Sequence, residues 1–265
     1  MDPLRLLETP TTLYGDAYRG ARNENKMREF NDRVAIRQAL VAKDPTLWFW
    51  TPAFERTLTW LETRVGKGGT VFELGCGLGW VLHVLRNRGF VAVGLDVAET
   101  PVELNRADGF QVWHGPLETL EDGWVHPNAV IAFFMLHHVQ DPLALVRLIR
   151  KRFPEAPLSI AQYGPSNLDA KASMPPRTLT RWNAKSLQTL LQLAGYQPEV
   201  VELAGTGNEA TVLRPLRKIV KRTIAIPPIY RFARRIEHQL LGHVLATAGR
   251  KAYVVHAIAE PVPIA

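Results

Sequence analysis

The chain has 265 residues, 46% of them apolar and 22% charged, with 19 Gly, 19 Pro and a single cysteine. That apolar content can offset the entropy of ordering the chain, which excludes wholesale disorder, and the lone Cys76 excludes a disulfide scaffold and fits a reducing compartment. The formal net charge of +7 points to an anionic partner until that charge is located along the chain. No run is long and apolar enough to cross a bilayer, and charges interrupt the short apolar stretch at the N-terminus, so neither a span nor a signal peptide is expected. The expected location is the cytoplasm.

Residues 1–66 read as a helical N-terminal cap. Within it, Met27, Phe30, Val34, Ile36 and Leu40 recur along a polar stretch, Trp48-Phe49-Trp50 follows, and a helix is expected near Pro52–Arg64. Gly66-Lys67-Gly68-Gly69 then breaks the pattern. Strands are expected at Thr70–Leu74, Val91–Asp96, Gln111–Trp113, Ala129–Phe134, Leu158–Ala161, Glu199–Leu203 and Ala252–Ala259. Helices are expected at Trp80–Arg88, stopped by Gly89, at Asp141–Arg152, entered through Asp141-Pro142, and at Ala184–Ala194, stopped by Gly195. Such alternation predicts an α/β fold, a doubly wound and mostly parallel sheet with helices on both faces.

The strongest chemical signal is E-L-G-C-G-L-G at Glu73–Gly79, between the first strand and its helix. Glycines let the chain turn tightly and let a ligand touch the backbone, and the helix N-terminus behind them presents free N–H groups. A dinucleotide fold spaces its glycines G-x-G-x-x-G; here Trp80 stands in the third place, which disfavours a pyrophosphate. Asp96 ends the next strand, where a carboxylate can accept hydrogen bonds from both ribose hydroxyls. The competing reading is a tight strand-to-helix turn that holds no ligand.

These residues resemble the class I S-adenosylmethionine-dependent methyltransferases, and the small-molecule type 11/12 domains in particular. The resemblance continues in F-F-M-L-H-H-V-Q-D-P (Phe133–Pro142) and in Arg177–Tyr196. It implies a Rossmann-like seven-stranded sheet with an antiparallel last strand, and a methyltransferase core over 67–265. It implies S-adenosyl-L-methionine as cofactor. Glu73, Gly75, Cys76, Gly77 and Gly79 would line the methionine end, Asp96 and Val97 the ribose, and Phe134 and Met135 would flank the cofactor. The family's Asp for the adenine amino group is replaced here by Pro116, so that contact would fall to the Leu117 backbone or to Glu118. In related enzymes an N-terminal segment closes over the cofactor, which implies a carboxylate contact from Tyr18 or Arg19.

Methyl transfer asks the protein mainly to align the acceptor and take up a proton. His137 and His138 follow the fourth strand at the acceptor edge and are the candidate catalytic residues, His138 being preferred. Neighbouring side chains are expected to diverge, so no metal site is expected. Gln162 and Tyr163, placed after the fifth strand, are expected to orient the acceptor. Cys76 is expected to be structural.

Between the sixth and seventh strands, 205–251 is expected to be a helical insert that holds the positive charge. From Arg214 to Lys251, ten basic residues stand against Glu237 alone, so this segment carries +9 and the rest of the chain −2. Leu216, Ile219, Val220 and Ile224, then Ile229, Phe232, Ile236 and Leu240 after Pro227-Pro228, recur at helical spacing. Such helices can lie on an anionic membrane, here the inner face, or present a solvated face on the domain. The expected acceptor is a small-molecule, lipid-linked or sugar-containing compound. A nucleic-acid methyltransferase is disfavoured because no N-P-P-Y or D-P-P-Y motif follows the fourth strand. An NAD-dependent oxidoreductase is disfavoured by Trp80. A non-catalytic scaffold built on the same fold is the remaining alternative.

Overall fold

A computed structural model describes residues 51–164, 178–204 and 252–263. In chain order they form α1 (Thr51–Arg64), β1 (Thr70–Leu74), α2 (Trp80–Asn87), β2 (Val91–Asp96), α3 (Glu99–Ala107), β3 (Gln111–His114), β4 (Ala129–Phe133), α4 (Pro142–Arg152), β5 (Leu158–Tyr163), α5 (Ala184–Leu193), β6 (Tyr196–Ala204) and β7 (Ala252–Pro261). The seven strands make one sheet in the order β3-β2-β1-β4-β5-β7-β6, with β7 antiparallel to both of its neighbours. The pairs from β3 across to β5 are parallel. Strand order reverses between β1 and β4, and a ligand crevice opens at such a switch point beyond the carboxyl ends of the strands.

Local chemistry explains the helix ends. Asp141 accepts the Ala144 N–H at 2.9 Å and Pro142 opens α4. Asn183 and Ser186 form a reciprocal capping box on α5. Gly89 and Gly195 take left-handed conformations just past α2 and α5.

The core lies on both sides of the sheet. Phe72, Leu74, Val130, Ala132, Leu158 and Ile160 pack under Val146 and Ile149 of α4 and Leu187 and Leu191 of α5. On the opposite face, Val71, Ile131, Phe133 and Ala161 receive Phe54, Leu58 and Leu61 of α1 and Val81 and Leu85 of α2. Coverage on both sides is why β4 is apolar at every position. Glu73 is the one charged residue in β1, and it is buried.

Four strands outrun their expected ends: β3 continues to His114, in register with Asp96 of β2, and three others extend at the far side of the sheet. β5 continues to Tyr163, β6 starts at Tyr196 and β7 runs to Pro261, because the antiparallel ladder supplies backbone partners even where the side chains are polar. The helix α3 was not anticipated; Pro101 sits in its first turn, where no intrahelical N–H is lost. Of the expected N-terminal cap, Thr51–Arg64 is described and packs on the sheet. Residues 1–50, which include Tyr18 and Arg19, and the basic insert 205–251 lie outside the described residues. Among the described residues no helix is long and apolar enough to cross a membrane.

Candidate active site

The turn after β1 is bound to the end of β2. The Gly75 and Cys76 N–H groups both donate to the Leu95 carbonyl, at 2.8 and 3.0 Å. The Gly77 N–H donates to Asp96 Oδ2 at 2.8 Å, and the Ala98 N–H to Asp96 Oδ1 at 2.9 Å. A carboxylate offers about four lone-pair sites, so the clamped Asp96, which also feels the Val97 N–H, keeps acceptor capacity for a ligand hydroxyl. Glycine is required at two points of the turn. At Gly79, φ is +73° and a Cβ would stand 1.9 Å from Asn105 Oδ1. At Gly75, φ is +71° and a Cβ would stand 3.0 Å from Met135 Cβ, so a bare backbone lets the loop after β4 close against the turn.

Electrostatics favour a cation here. Glu73 is buried, and its Oε2 has no hydrogen-bond partner among the described residues. Burial, and then the charge of Asp96, push its carboxyl well above the usual carboxylate range. Burial also raises Asp96, against the pull of the Ala98, Gly77 and Val97 N–H groups and of His114. A positively charged ligand beside them would favour the ionised form of both.

The second wall follows β4. Phe134 takes a left-handed φ of +52° and donates its N–H to the Ala161 carbonyl at 2.7 Å. A side chain in that region is strained, and such strain persists where the surroundings over-determine it. Here it turns the chain sharply into the short helical turn Leu136–His138. The Phe134 and Tyr163 rings lie 4.6 Å apart. His137 and His138 do not diverge as expected: their ring centroids are 3.7 Å apart, because Gln162 holds the His137 ring at the sheet edge and His138 lies against it. His137 is buried, with Nδ1 3.0 Å from Gln162 Oε1, and its backbone N–H donates to the same oxygen at 3.3 Å. Burial lowers the His137 pKa and the Gln162 contact opposes that shift. His138 is half-buried. Among the described residues no cluster of three or more His, Cys, Asp or Glu is arranged to hold a metal.

A family model described as a methyltransferase domain matches residues 49–203. The chain belongs to the class I S-adenosylmethionine-dependent methyltransferase family. Among curated relatives, methyltransferase AacuQ of Aspergillus aculeatus is 27% identical over 123 residues, 44% of this chain and 39% of that protein. A ubiquinone biosynthesis O-methyltransferase of Pseudomonas paraeruginosa is 29% identical over 98 residues, 34% of this chain and 42% of its own. The match thus spans about two fifths of the length of these relatives. Of solved structures, the plantazolicin methyltransferase BpumL in complex with SAH superposes with a TM-score of 0.55 at 11% identity, covering 98% of both chains. Coclaurine N-methyltransferase superposes with a TM-score of 0.54 at 14% identity, covering 79% of this chain and 73% of its own. At such identities these likenesses establish the fold.

The methyltransferase fold gathers most of the expected residues at one edge. The turn Gly75–Gly79, Asp96 with Val97, Phe134 with Met135, and His137 with His138 all follow the carboxyl ends of β1, β2 and β4. Cys76 and Leu117 both have their side chains in the core. Cys76 is buried among Leu82, Val102, Phe110 and Val112, and burial raises its thiol pKa; it shapes the turn through packing. The Leu117 side chain belongs to the core, which leaves its backbone at the edge. One polar residue at the turn, Asn105, belongs to none of the sequence motifs. Asn105, buried on α3, donates from Nδ2 to the Gly77 carbonyl at 2.7 Å and so pins the turn. Gln162, expected to follow the fifth strand and orient the acceptor, instead lies inside β5 and is fully buried against His137. The only local signal for Asn105 is a polar residue on the covered face of a helix.

Proposed function

We propose that this chain transfers the methyl group of S-adenosylmethionine to a hydroxyl of a small-molecule acceptor. The clamped Asp96 carboxylate carries the reading, since both its oxygens are fixed by backbone N–H groups beside the glycine turn and the carboxylate keeps acceptor capacity for a ribose hydroxyl. The unpartnered Glu73 oxygen and the close approach of Met135 to Gly75 fit a cationic, nucleoside-bearing cofactor in the same cleft. Glu73, Gly75, Gly77 and Gly79 would line its methionine end, Asp96 and Val97 its ribose, the Leu117 backbone its adenine, and Phe134 and Met135 its flank. Bound there, S-adenosylmethionine would supply an activated methyl group on a sulfonium. The chain's own task is then to align the acceptor, exclude water and receive a proton at His137 or His138. The name of the Pseudomonas relative, an O-methyltransferase, supports oxygen as the methylated atom.

The basic insert supports an anionic acceptor or an acceptor carried on an anionic membrane face. Its attachment points, Ala204 and Ala252, pair across β6 and β7, and neighbouring Leu203 and Val254 stand level with Tyr163 at the carboxyl end of β5. The insert thus departs from and returns to the edge that bears the site.

Calorimetric titration with S-adenosylmethionine, S-adenosylhomocysteine and NAD tests the cofactor. Both sulfur compounds should bind, and Asp96→Ala should weaken S-adenosylhomocysteine by more than about 1.5 kcal/mol, the scale of hydrogen bonds to a charged group. Binding of NAD alone would reject the proposal. Sedimentation with anionic vesicles at low and high salt tests the insert: binding at low salt that is lost at high salt is expected, and no binding at low salt removes the membrane contact.

A further inference from the structure

We infer that Gln162 is a positioning residue that sets the tautomer of His137, leaving His137 Nε2 as the atom that takes the acceptor's proton. This rests on the methyltransferase reading above and adds to it which histidine acts, through which nitrogen, and what holds it.

The assignment follows from donor and acceptor rules. A backbone N–H can only donate, and that of His137 lies 3.3 Å from Gln162 Oε1. That atom must therefore be the amide oxygen and not the nitrogen, which settles the orientation of the Gln162 amide. The same oxygen lies 3.0 Å from His137 Nδ1. An oxygen without a proton can only accept, so Nδ1 carries the hydrogen and the lone pair of the neutral ring is on Nε2. The two bonds lock the ring to the backbone of its own turn through one atom of β5. Leu179 adds a third restraint by donating its N–H to the His137 carbonyl at 2.7 Å.

The cost of this arrangement supports a functional purpose. Gln162 is fully buried, and its Nε2 finds no acceptor among the described residues. A leucine or methionine would fill the position without an unsatisfied donor. Holding a buried amide there at a cost in stability is what an orienting role requires. In the reaction, the acceptor hydroxyl gives its proton to Nε2 as its oxygen bonds to the methyl carbon, and the electron pair of the broken carbon–sulfur bond stays on sulfur. The imidazolium so formed keeps its Nδ1–H on Gln162 Oε1, which stabilises the added charge. His138, half-buried beside it, is then a packing neighbour.

The test reads the tautomer without any acceptor. The full chain is labelled with 15N-histidine, the His137 signals are assigned with His137→Gln, and long-range 1H–15N spectra are recorded at neutral pH. Wild type should show Nδ1 protonated and Nε2 bare. Gln162→Glu keeps an acceptor oxygen and should retain that pattern, whereas Gln162→Leu should lose it, with the Nδ1–H form dropping below half. An Nε2–H form in wild type, or an Nδ1–H form unchanged in Gln162→Leu, overturns the inference. Should Gln162→Leu fail to fold, the wild-type and Gln162→Glu spectra decide it. The calorimetric titration above fails or succeeds independently, so the two readings are tested separately.

Discussion

His256 on β7 makes stability depend on pH in a direction that the structure specifies. Its ring is fully buried, with Nε2 2.9 Å from both Thr57 Oγ1 and Ser159 Oγ, and Nδ1 3.0 Å from an Arg56 guanidinium nitrogen. Arginine can only donate, so Nδ1 accepts, and the neutral ring carries its proton on Nε2, towards the two hydroxyls. Burial, and then the Arg56 charge, push the His256 pKa down to about 3. In the unfolded chain the residue titrates near about 6.5. The unfolded state therefore binds a proton that the native state refuses. The contribution is fully present above the unfolded pKa, is lost as pH falls below it, and stops changing below about 3, with a limiting slope of about 1.4 kcal/mol per pH unit. From about pH 6.5 to about pH 5.0 the loss is roughly 1.6 kcal/mol, once half-titration at the upper limit is included. Urea unfolding followed by tryptophan fluorescence across that span measures it, in wild type and in His256→Gln, which keeps a donor and an acceptor but does not titrate. Other titrating groups are common to both chains, so the difference between the two slopes isolates His256. Parallel slopes would refute the reasoning.

Gly79→Ala should destabilise the fold by about 2–4 kcal/mol, combining a left-handed alanine with overpacking against Asn105, and should weaken S-adenosylhomocysteine binding; a urea midpoint within error of wild type would show that the turn is not constrained as described. The raised carboxyl of Glu73 predicts proton release when a cationic ligand binds, so affinity for S-adenosylmethionine should rise with pH through the window above the usual carboxylate range. Calorimetry in buffers of different ionisation enthalpy reads that release, and it should shrink in Glu73→Gln, leaving any share from Asp96; an equal release in the variant would assign it to another group.

Local chemistry made the left half of the sheet and its turn legible from the residues alone. Glycines at 75, 77 and 79, Asp96 at a strand end, Asp141-Pro142 at a helix start, and Gly89 and Gly195 at helix ends each act within a few residues of themselves. Their backbone requirements are short-range and survive any tertiary context. The apolar strands likewise announced a covered parallel sheet, and the helical spacing in Ala184–Leu193 announced α5. What stayed hidden depends on neighbours across the sheet. Gln162 looked like a loop residue until the β7 ladder extended β5 over it, and only the turn after β4 gives its amide a partner. His256, Ser159 and Thr57 come from β7, β5 and α1, and no spacing along the chain announces that they meet. Asn105 is one polar letter on a helix with a proline in its first turn, and its purpose is visible only where Gly77 and Gly79 pack on it. The sequence by itself determined the cofactor turn, because that turn is built from conformations only glycine adopts freely. Tertiary structure decided the wall after β4, because hydrogen bonds between strands far apart in sequence are chosen by register and not by composition.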